Sequence, residues 1–258
     1  MESSREFSSQ SINEHRLIEL RDVTSTNKFL EILMDKGAGE QGLIVTSEYQ
    51  SEGRGMNGTS WTSEKGKNLL MSMLHFPEGL SVQNQFYLSK CSALAVSKAI
   101  DRIVGAEISK IKWPNDVYIN SKKTAGILIQ SSIKGESAQY SFLGFGVNLN
   151  QNTFSIKNAT SLMSETGQKI KIKEFLSYLI DELDRWLKVI SDGHFDQINA
   201  MYYKKLIGYR QWLTYKKDEE LFKGKVLKIE DDGHLLMELE NGKQQLFAVK
   251  EISLVQAE

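Results

Sequence analysis

The sequence predicts an α+β protein, a large domain of strands and helices followed by a small β-barrel. Three observations lead there. The chain has 258 residues, which suits one large domain or one large and one small. Runs that alternate apolar and polar residues are interspersed with helical stripes, the strongest at residues 85–104 and 172–190. After Gly208 the composition changes. Residues 221–228, 235–239 and 244–249 are short alternating strands, with Asp231-Asp232-Gly233 and Asn241-Gly242 as hairpin turns. Strands that follow a helical pair in this way form a unit of their own. The expected division is a flexible lead-in over residues 1–15, a main domain over 16–207 and a barrel over 208–258.

Each element has a local reason. Residues 16–20 alternate as a strand. Phe29, Leu30, Ile32, Leu33 and Met34 follow at helical spacing, with Thr24 or Ser25 as N-cap and Gly37 as stop. Residues 42–48 and 68–76 read as strands. The stripe Leu88, Cys91, Leu94, Ala95, Ile100 and Ile103 makes residues 85–104 a helix with one apolar face. Residues 140–150 form a strand with glycines at alternate positions, which clears one face of the sheet for a ligand. Residues 151–167 are polar and loop-like. Phe175, Leu176, Leu179, Ile180, Leu183, Trp186 and Leu187 mark a core-facing helix at 172–190, and a shorter helix spans 195–207.

Composition excludes several classes. Hydrophobic residues are 40% and charged residues 25%, the range of a globular protein with a core. Lys plus Arg number 32 and Asp plus Glu 33, a balance that gives no support to a nucleic-acid binder. The lone cysteine, Cys91, rules out an intramolecular disulfide and a cysteine metal cluster, and it fits a reducing compartment. No run reaches the ~18 apolar residues of a membrane span. The first ten residues lack the apolar stretch of a signal peptide. A cytoplasmic protein without a membrane partner is expected.

Two stretches stand out chemically. Gly53-Arg54-Gly55-Met56-Asn57-Gly58 spells G-x-G-x-x-G, but no helix or βαβ spacing follows, so it is not a dinucleotide fingerprint. Without a closing Gly-Lys-Ser/Thr it is not a Walker loop either. It remains a glycine loop that can bring backbone N–H groups and the Arg54 guanidinium to a phosphate, or a plain surface loop. Lys112-Trp113-Pro114-Asn115-Asp116 places a cation, an amide and a carboxylate on one proline-stiffened turn. Asn and Asp are also ordinary turn residues, and Lys122 and Lys123 at the next turn are of a kind usually left in water. Ser25 and Thr26 either cap a helix or present two hydroxyls to a small polar ligand.

Taken together, Ser25-Thr26-Asn27, Gln50, Gly53-Arg54-Gly55 with Trp61, Lys112 to Asp116, Lys123 before Ala125-Gly126-Ile127-Leu128, and Gly144-Phe145-Gly146-Val147-Asn148 resemble the biotin protein ligases in order and spacing. The resemblance runs from about Arg16 through nearly the whole chain. It implies a class II aminoacyl-tRNA synthetase-like catalytic domain, with a mixed, largely antiparallel sheet, and an SH3-like C-terminal barrel. It implies a two-step ligase. Biotin and Mg-ATP give biotinyl-5′-AMP and pyrophosphate, and a lysine of a biotin carboxyl carrier protein domain then takes the biotinyl group. Two anions must meet in line, so cations must offset their repulsion.

By the resemblance, Arg54, Lys112, Lys123 and Asp116 are the catalytic set. Asp116 is left with three open roles: orienting Mg²⁺, orienting the lysines, or deprotonating the incoming amine. Mg²⁺ takes few protein ligands, and its ligands here are not assigned. Biotin is expected at Ser25, Thr26, Gln50, Gly53, Arg54, Gly55, Trp61, Lys123, Gly126 and Gly144, with Trp61 or Trp113 as an apolar wall. The nucleotide is expected at Arg54, Gly55, Met56, Trp61, Lys112, Asn115, Asp116, Asn148, Asn158, Thr160 and Ser161. Family members often carry a basic residue where Met56 stands, one that helps retain the adenylate, so tight retention is not implied. About fifteen polar residues precede the first expected strand, too few for a winged helix, so no DNA-binding role is expected. Monomer and homodimer both stay open. The nearest rival, lipoate protein ligase, has an arginine pair and a triple glycine that are absent here. A non-catalytic binding module would not need the cations.

Overall fold

The structure of the protein is a computed structural model that describes residues 6–255. Its main sheet has eight strands: β1 (Glu6–Ile12), β2 (His15–Val23), β3 (Ile44–Gln50), β4 (Leu69–His75), β5 (Ser109–Lys112), β6 (Asp116–Ile119), β7 (Lys122–Lys134) and β8 (Ser137–Val147). Their spatial order is β1-β2-β3-β4-β8-β7-β6-β5. Every neighbouring pair is antiparallel except β2 and β3, which are parallel. That one parallel pair requires a crossover, and helix α1 (Thr26–Asp35) supplies it.

The two faces of the sheet bury different cores. On one face α1 covers Ile18, Leu20, Val45, Leu74 and Phe142. On the other, α2 (Phe86–Val104), α4 (Ile172–Ser191) and α5 (Phe195–Lys205) cover Leu17, Ile44, Met71, Leu143, Val147 and Ile127. Alternate residues of each strand thus serve opposite cores, as the pleat requires. The stripe of α4 is buried as its spacing predicts: Phe175, Leu176, Leu179, Ile180, Leu183, Trp186 and Leu187 all face the core. Helix α2 departs from the one-faced helix expected. Lys90, Ser92, Ser97 and Asp101 are buried along with its apolar residues, because α4 and α5 pack on the side away from the sheet.

A second sheet of five antiparallel strands follows: β9 (Trp212–Lys217), β10 (Glu220–Ile229), β11 (Leu235–Leu239), β12 (Gln244–Phe247) and β13 (Ser253–Leu254). The sequence marked only β10, β11 and β12. β9 and its turn are too charged, and β13 too short, to stand out.

Two other differences concern residues read as irregular. The lead-in expected over residues 1–15 instead carries β1 from Glu6, paired antiparallel with β2; residues 1–5 lie outside the described residues. A polar edge strand needs only backbone partners on one side, so it leaves no hydrophobic stripe to read. Within the loop expected at 151–167, Leu162–Thr166 forms a short helix, α3, capped by Ser161. Among the described residues no helix is long and apolar enough to cross a membrane.

Candidate active site

A cleft of about 370 Å³ opens on the α1 face of the sheet, where strands β7 and β8 run past the end of the helix. Its floor is polar and tightly bonded. Gln50 Oε1 accepts from the Thr26 backbone N–H at 2.7 Å and from the Thr26 hydroxyl at 3.0 Å. Thr26 Oγ1 lies 2.6 Å from Ser72 Oγ, which donates to Asn27 Oδ1 at 2.6 Å, and Asn27 Nδ2 donates to Gln130 Oε1 at 2.7 Å. Gln50 thereby spends its carbonyl oxygen on the helix start and keeps its amide N–H groups for a ligand. Ser25 stands at the N-cap position and lines the cleft, but its side chain makes no capping hydrogen bond.

Three glycines clear the sheet above this floor, and each clears it for something definite. A Cβ on Gly144 would meet Asn27 Oδ1 at 2.7 Å. One on Gly146 would meet Trp61 Cε2 at 2.4 Å, and one on Gly126 would meet Trp61 Cζ3 at 2.9 Å and the Lys123 side chain at 3.3 Å. The cleared face therefore seats the Trp61 indole as well as leaving room for a ligand. Of the two candidate tryptophans, Trp61 lines the cleft. Trp113 instead packs against the main core and donates its indole N–H to Gly233 O at 3.0 Å.

The glycine loop folds back on itself as a small hairpin. Trp61 N–H donates to Gly53 O at 2.8 Å and Gly55 N–H to Thr59 O at 2.6 Å, with a single 3-10 turn at Met56–Gly58. Arg54, Gly55 and Met56 line the cleft. Gly53 does not; it is buried against the Trp61 carbonyl, where a Cβ would lie 2.4 Å from the oxygen. The Arg54 guanidinium is well exposed, and its carboxylate neighbour, Glu52, stands 3.7 Å away.

Opposite the loop, the turn after β5 is fixed to β7. Asn115 Nδ2 donates to Ile127 O at 2.5 Å, and Ile127 N–H returns a bond to Asn115 O at 3.0 Å. The Trp113–Pro114 peptide is cis. Asp116 Oδ1 stands 2.7 Å from Lys123 Nζ, but the angle is not that of a hydrogen bond, and this buried oxygen has no aligned donor. Lys123 reaches the cleft because of a β-bulge. The register of β6 against β7 shifts between Val117↔Ala125 and Tyr118↔Lys123, leaving Thr124 as the extra residue. Regular alternation would aim Lys123 to the same side as Ala125, into the core. The bulge returns it to the side of Gly126.

Lys112 is the exception among the expected cations. It does not line the cleft. Its ammonium lies 3.4 Å from Tyr118 Oη, over that ring. Burial holds Lys112 below the usual lysine range, Asp116 raises it and Lys123 lowers it further, so it belongs to the same electrostatic group from behind. Tyr118 is pushed up by burial and by Asp116.

A smaller cavity of about 150 Å³ adjoins the first. Lys123, Trp61, Ser60 and Ile156 line both, and among the described residues Lys123 is the only charged side chain on both. Asn148 lines this second cavity. The segment 158–161 does not face it with the expected side chains. Asn158 O accepts from Lys123 N–H at 2.8 Å and Thr160 N–H donates to Lys123 O at 2.9 Å, which clamps the backbone of Lys123. The Thr160 hydroxyl donates to Glu165 at 2.6 Å, and buried Ser161 caps α3. Burial alone would raise Glu165; the hydrogen bonds from Thr160 and Asn120 hold it below the usual range. These residues position Lys123.

Several lining residues lay outside the expected set, Asn27, Gly146, Ile156 and Lys250, and so did Ser72, whose hydroxyl donates to Asn27. The alternation of Gly144 with Gly146 already marked the cleared face, though only Gly144 was among the residues expected to bind. Nothing local marks Lys250, which arrives from the second sheet.

Comparison with known proteins places this geometry among relatives. The sequence model of the biotin/lipoate A/B protein ligase family matches residues 19–148. The chain is 30% identical over 213 residues to the biotin--[acetyl-CoA-carboxylase] ligase of Paracoccus denitrificans, covering 80% of this chain and 88% of that one. It is 29% identical over 231 residues to the bifunctional ligase/repressor BirA of Bacillus subtilis, covering 88% of this chain and 70% of that one. Among solved structures, the biotin protein ligase from Aquifex aeolicus in complex with biotin and ATP superposes with a TM-score of 0.77 at 26% identity, covering 93% of this chain and 99% of the other.

Proposed function

This chain belongs to the biotin/lipoate A/B protein ligase family, and on that premise we propose that it activates biotin with ATP and transfers it to a lysine of a biotin carboxyl carrier protein domain. The observation that carries the reading is Lys123, among the described residues the one charged side chain that borders both cavities. Biotin lies in the larger cavity, its ureido group on the Gln50 amide and the Ser25 and Thr26 hydroxyls, its aliphatic chain along Trp61. The nucleotide enters from the smaller cavity past Asn148, and its phosphates run past Lys123 to the glycine-loop side of the larger one, along Arg54, Gly55 and Met56. The carboxylate and the α-phosphate then meet at Lys123.

The chemistry asks for what is present. In the first step a carboxylate oxygen attacks the α-phosphorus, a P–O bond forms, the bond to the β-phosphate oxygen breaks and pyrophosphate leaves. Both partners are anions, and the ammonium of Lys123 offsets their repulsion without moving, since its backbone is clamped and its side chain rests between Trp61 and Asp116. In the second step the neutral amine of the carrier lysine attacks the acyl carbon of the mixed anhydride, and AMP leaves with the electron pair of the broken C–O bond. Among the described residues Asp116 is the only carboxylate lining the cleft, which supports it as the acceptor of the amine's proton.

Among the described residues no cluster of acidic, histidine or cysteine side chains could hold a metal ion on its own. That suits Mg²⁺, which keeps waters and phosphate oxygens and asks for one or two carboxylates. The unaligned oxygen of Asp116 fits such a role. When bound, the ion would neutralise phosphate charge.

The test is ATP–pyrophosphate exchange. Exchange stimulated by biotin and not by lipoate is expected. Exchange with lipoate alone would move the chain to the other branch of the family, and exchange with neither would overturn the reading.

A further inference from the structure

We infer that Lys250, a residue of the second sheet, binds the phosphate chain of the nucleotide and closes the glycine loop over it. The inference rests on the reading above that the cleft takes ATP. Lys250 lies in the turn between β12 and β13, far from the cleft in sequence, yet it lines the cleft beside Arg54, Gly55 and Met56. Its ammonium donates to the main-chain carbonyl oxygen of Met56.

The surroundings of that ammonium point to an anion. Among the described residues no carboxylate stands within ion-pair distance of Lys250 Nζ. The nearest one in sequence, Glu251, is committed elsewhere. One of its oxygens pairs with Lys217 at 2.5 Å, and the other accepts from the Ala248 N–H at 2.8 Å. Lys250 itself holds a φ of +67°, a left-handed conformation that lysine seldom adopts. Glu251 therefore builds the turn, and the turn presents Lys250. A cation whose only partner among the described residues is a neutral carbonyl has most of its charge to offer to a ligand.

Charge balance in the cleft agrees. Arg54, Lys123 and Lys250 face one carboxylate, Asp116. Asp116 is taken up by Lys123 at 2.7 Å. Arg54 and Lys250 remain at the glycine loop, Arg54 with the exposed Glu52 at 3.7 Å and Lys250 on the Met56 carbonyl. With the α-phosphate at Lys123, the rest of the phosphate chain extends toward that pair. Met56 contributes no charge of its own; the cation at this point of the loop comes from the other sheet. In passing from the Met56 carbonyl to a phosphate oxygen, Lys250 would exchange a neutral acceptor for a charged one while staying beside the loop.

The experiment compares wild type with Lys250→Ala, Lys250→Gln and Lys250→Arg in biotin-dependent pyrophosphate exchange, and titrates each with MgATP by calorimetry. Loss of a charge-assisted bond to phosphate raises the KM for ATP by ~10- to 100-fold in the Ala and Gln variants. The KM for biotin is expected to stay within about twofold of wild type, since the partner of Lys250 is the Met56 carbonyl and neither Gln50 nor Thr26 bonds to it. Arginine, which keeps the charge, should restore most of the affinity. Because Lys250 is exposed, thermal unfolding should be unchanged. An unchanged KM for ATP in the Ala and Gln variants would overturn the inference. So would equal losses for biotin and ATP, which would make Lys250 a structural latch only. If the wild type exchanges with neither acid, the functional reading fails, and the MgATP titration still decides whether Lys250 binds phosphate.

Discussion

Gly146→Ala is the substitution in which the smallest change should have the largest functional effect. The backbone of Gly146 sits within regular strand β8, so alanine meets no conformational penalty there. The obstacle is Trp61, whose Cε2, Nε1 and Cζ2 lie 2.4, 2.7 and 2.8 Å from where the methyl group would be. Ordinary contact needs the indole to retreat by roughly 1 Å. Overpacking of this size costs ~1–3 kcal/mol, and the low end is expected because Trp61 belongs to a loop that can yield. Melting should fall by a few degrees at most. Activity should fall much further. A wall displaced by ~1 Å costs on the order of a hundredfold in rate when it orients a reacting group, and here the same ring touches Lys123. The assay is biotin-dependent exchange for wild type, Gly146→Ala, Trp61→Ala and the double variant, read as a double-mutant cycle. In the Trp61→Ala background the added methyl meets no ring, so Gly146→Ala should be nearly silent there. If it is equally damaging with and without the indole, the cleared face does not exist to seat Trp61 and the account of the site is wrong.

Three further outcomes follow from the same geometry. Lys123→Ala should abolish exchange, by at least the ~3 kcal/mol of one preorganised donor, while the far-ultraviolet circular dichroism stays native; full activity would make Lys123 a solvated turn lysine. Thr26→Val removes the hydroxyl that bridges Gln50 and Ser72. It should raise the KM for biotin by roughly tenfold without changing that for ATP, and a change confined to ATP would remove Gln50 from the biotin end. Lys90 is buried on α2 with its ammonium on Asn199 Oδ1, and burial lowers it from 10.5 to about 8. Between those values the unfolded chain carries a proton that the native state lacks, so stability rises with pH there. Relative to Lys90→Met, the wild type should therefore gain up to ~1.4 kcal/mol per pH unit across that window in denaturant melts. A parallel pair of curves would refute it.

Much of this architecture is legible in the chain because its signals are local. The stripe of α4, the alternating glycines of β8 and the hairpin turns of the second sheet each depend on residues a few positions apart. The polar floor was half visible. Ser25, Thr26 and Gln50 stood out, but the network continues from Thr26 through Ser72 and Asn27 to Gln130, and only the folded sheet brings Ser72 and Gln130 near. Lys123 shows where local reading stops. Its identity as a turn lysine was plain, but its direction is set by the bulge at Thr124, a register shift with no sequence mark. Thr160 and Ser161 looked like polar ligands in a loop, and instead spend their hydroxyls on Glu165 and on capping α3. Buried Lys90 and cleft-lining Lys250 depend on contacts between distant segments. β1 escaped notice because its sequence, mostly Ser, Gln and Glu, shows no alternating apolar run.

The central claim is that two cavities joined at Lys123 bring a biotin carboxylate and a nucleotide phosphate together and then pass the acyl group to a protein lysine. The most direct measurement is the mass of an apo biotin carboxyl carrier domain after incubation with this chain, biotin and MgATP. The account predicts the gain of one biotinyl group on one carrier lysine, dependent on ATP and lost in Lys123→Ala. An unchanged carrier, or a lipoyl group accepted in place of biotin, would contradict it.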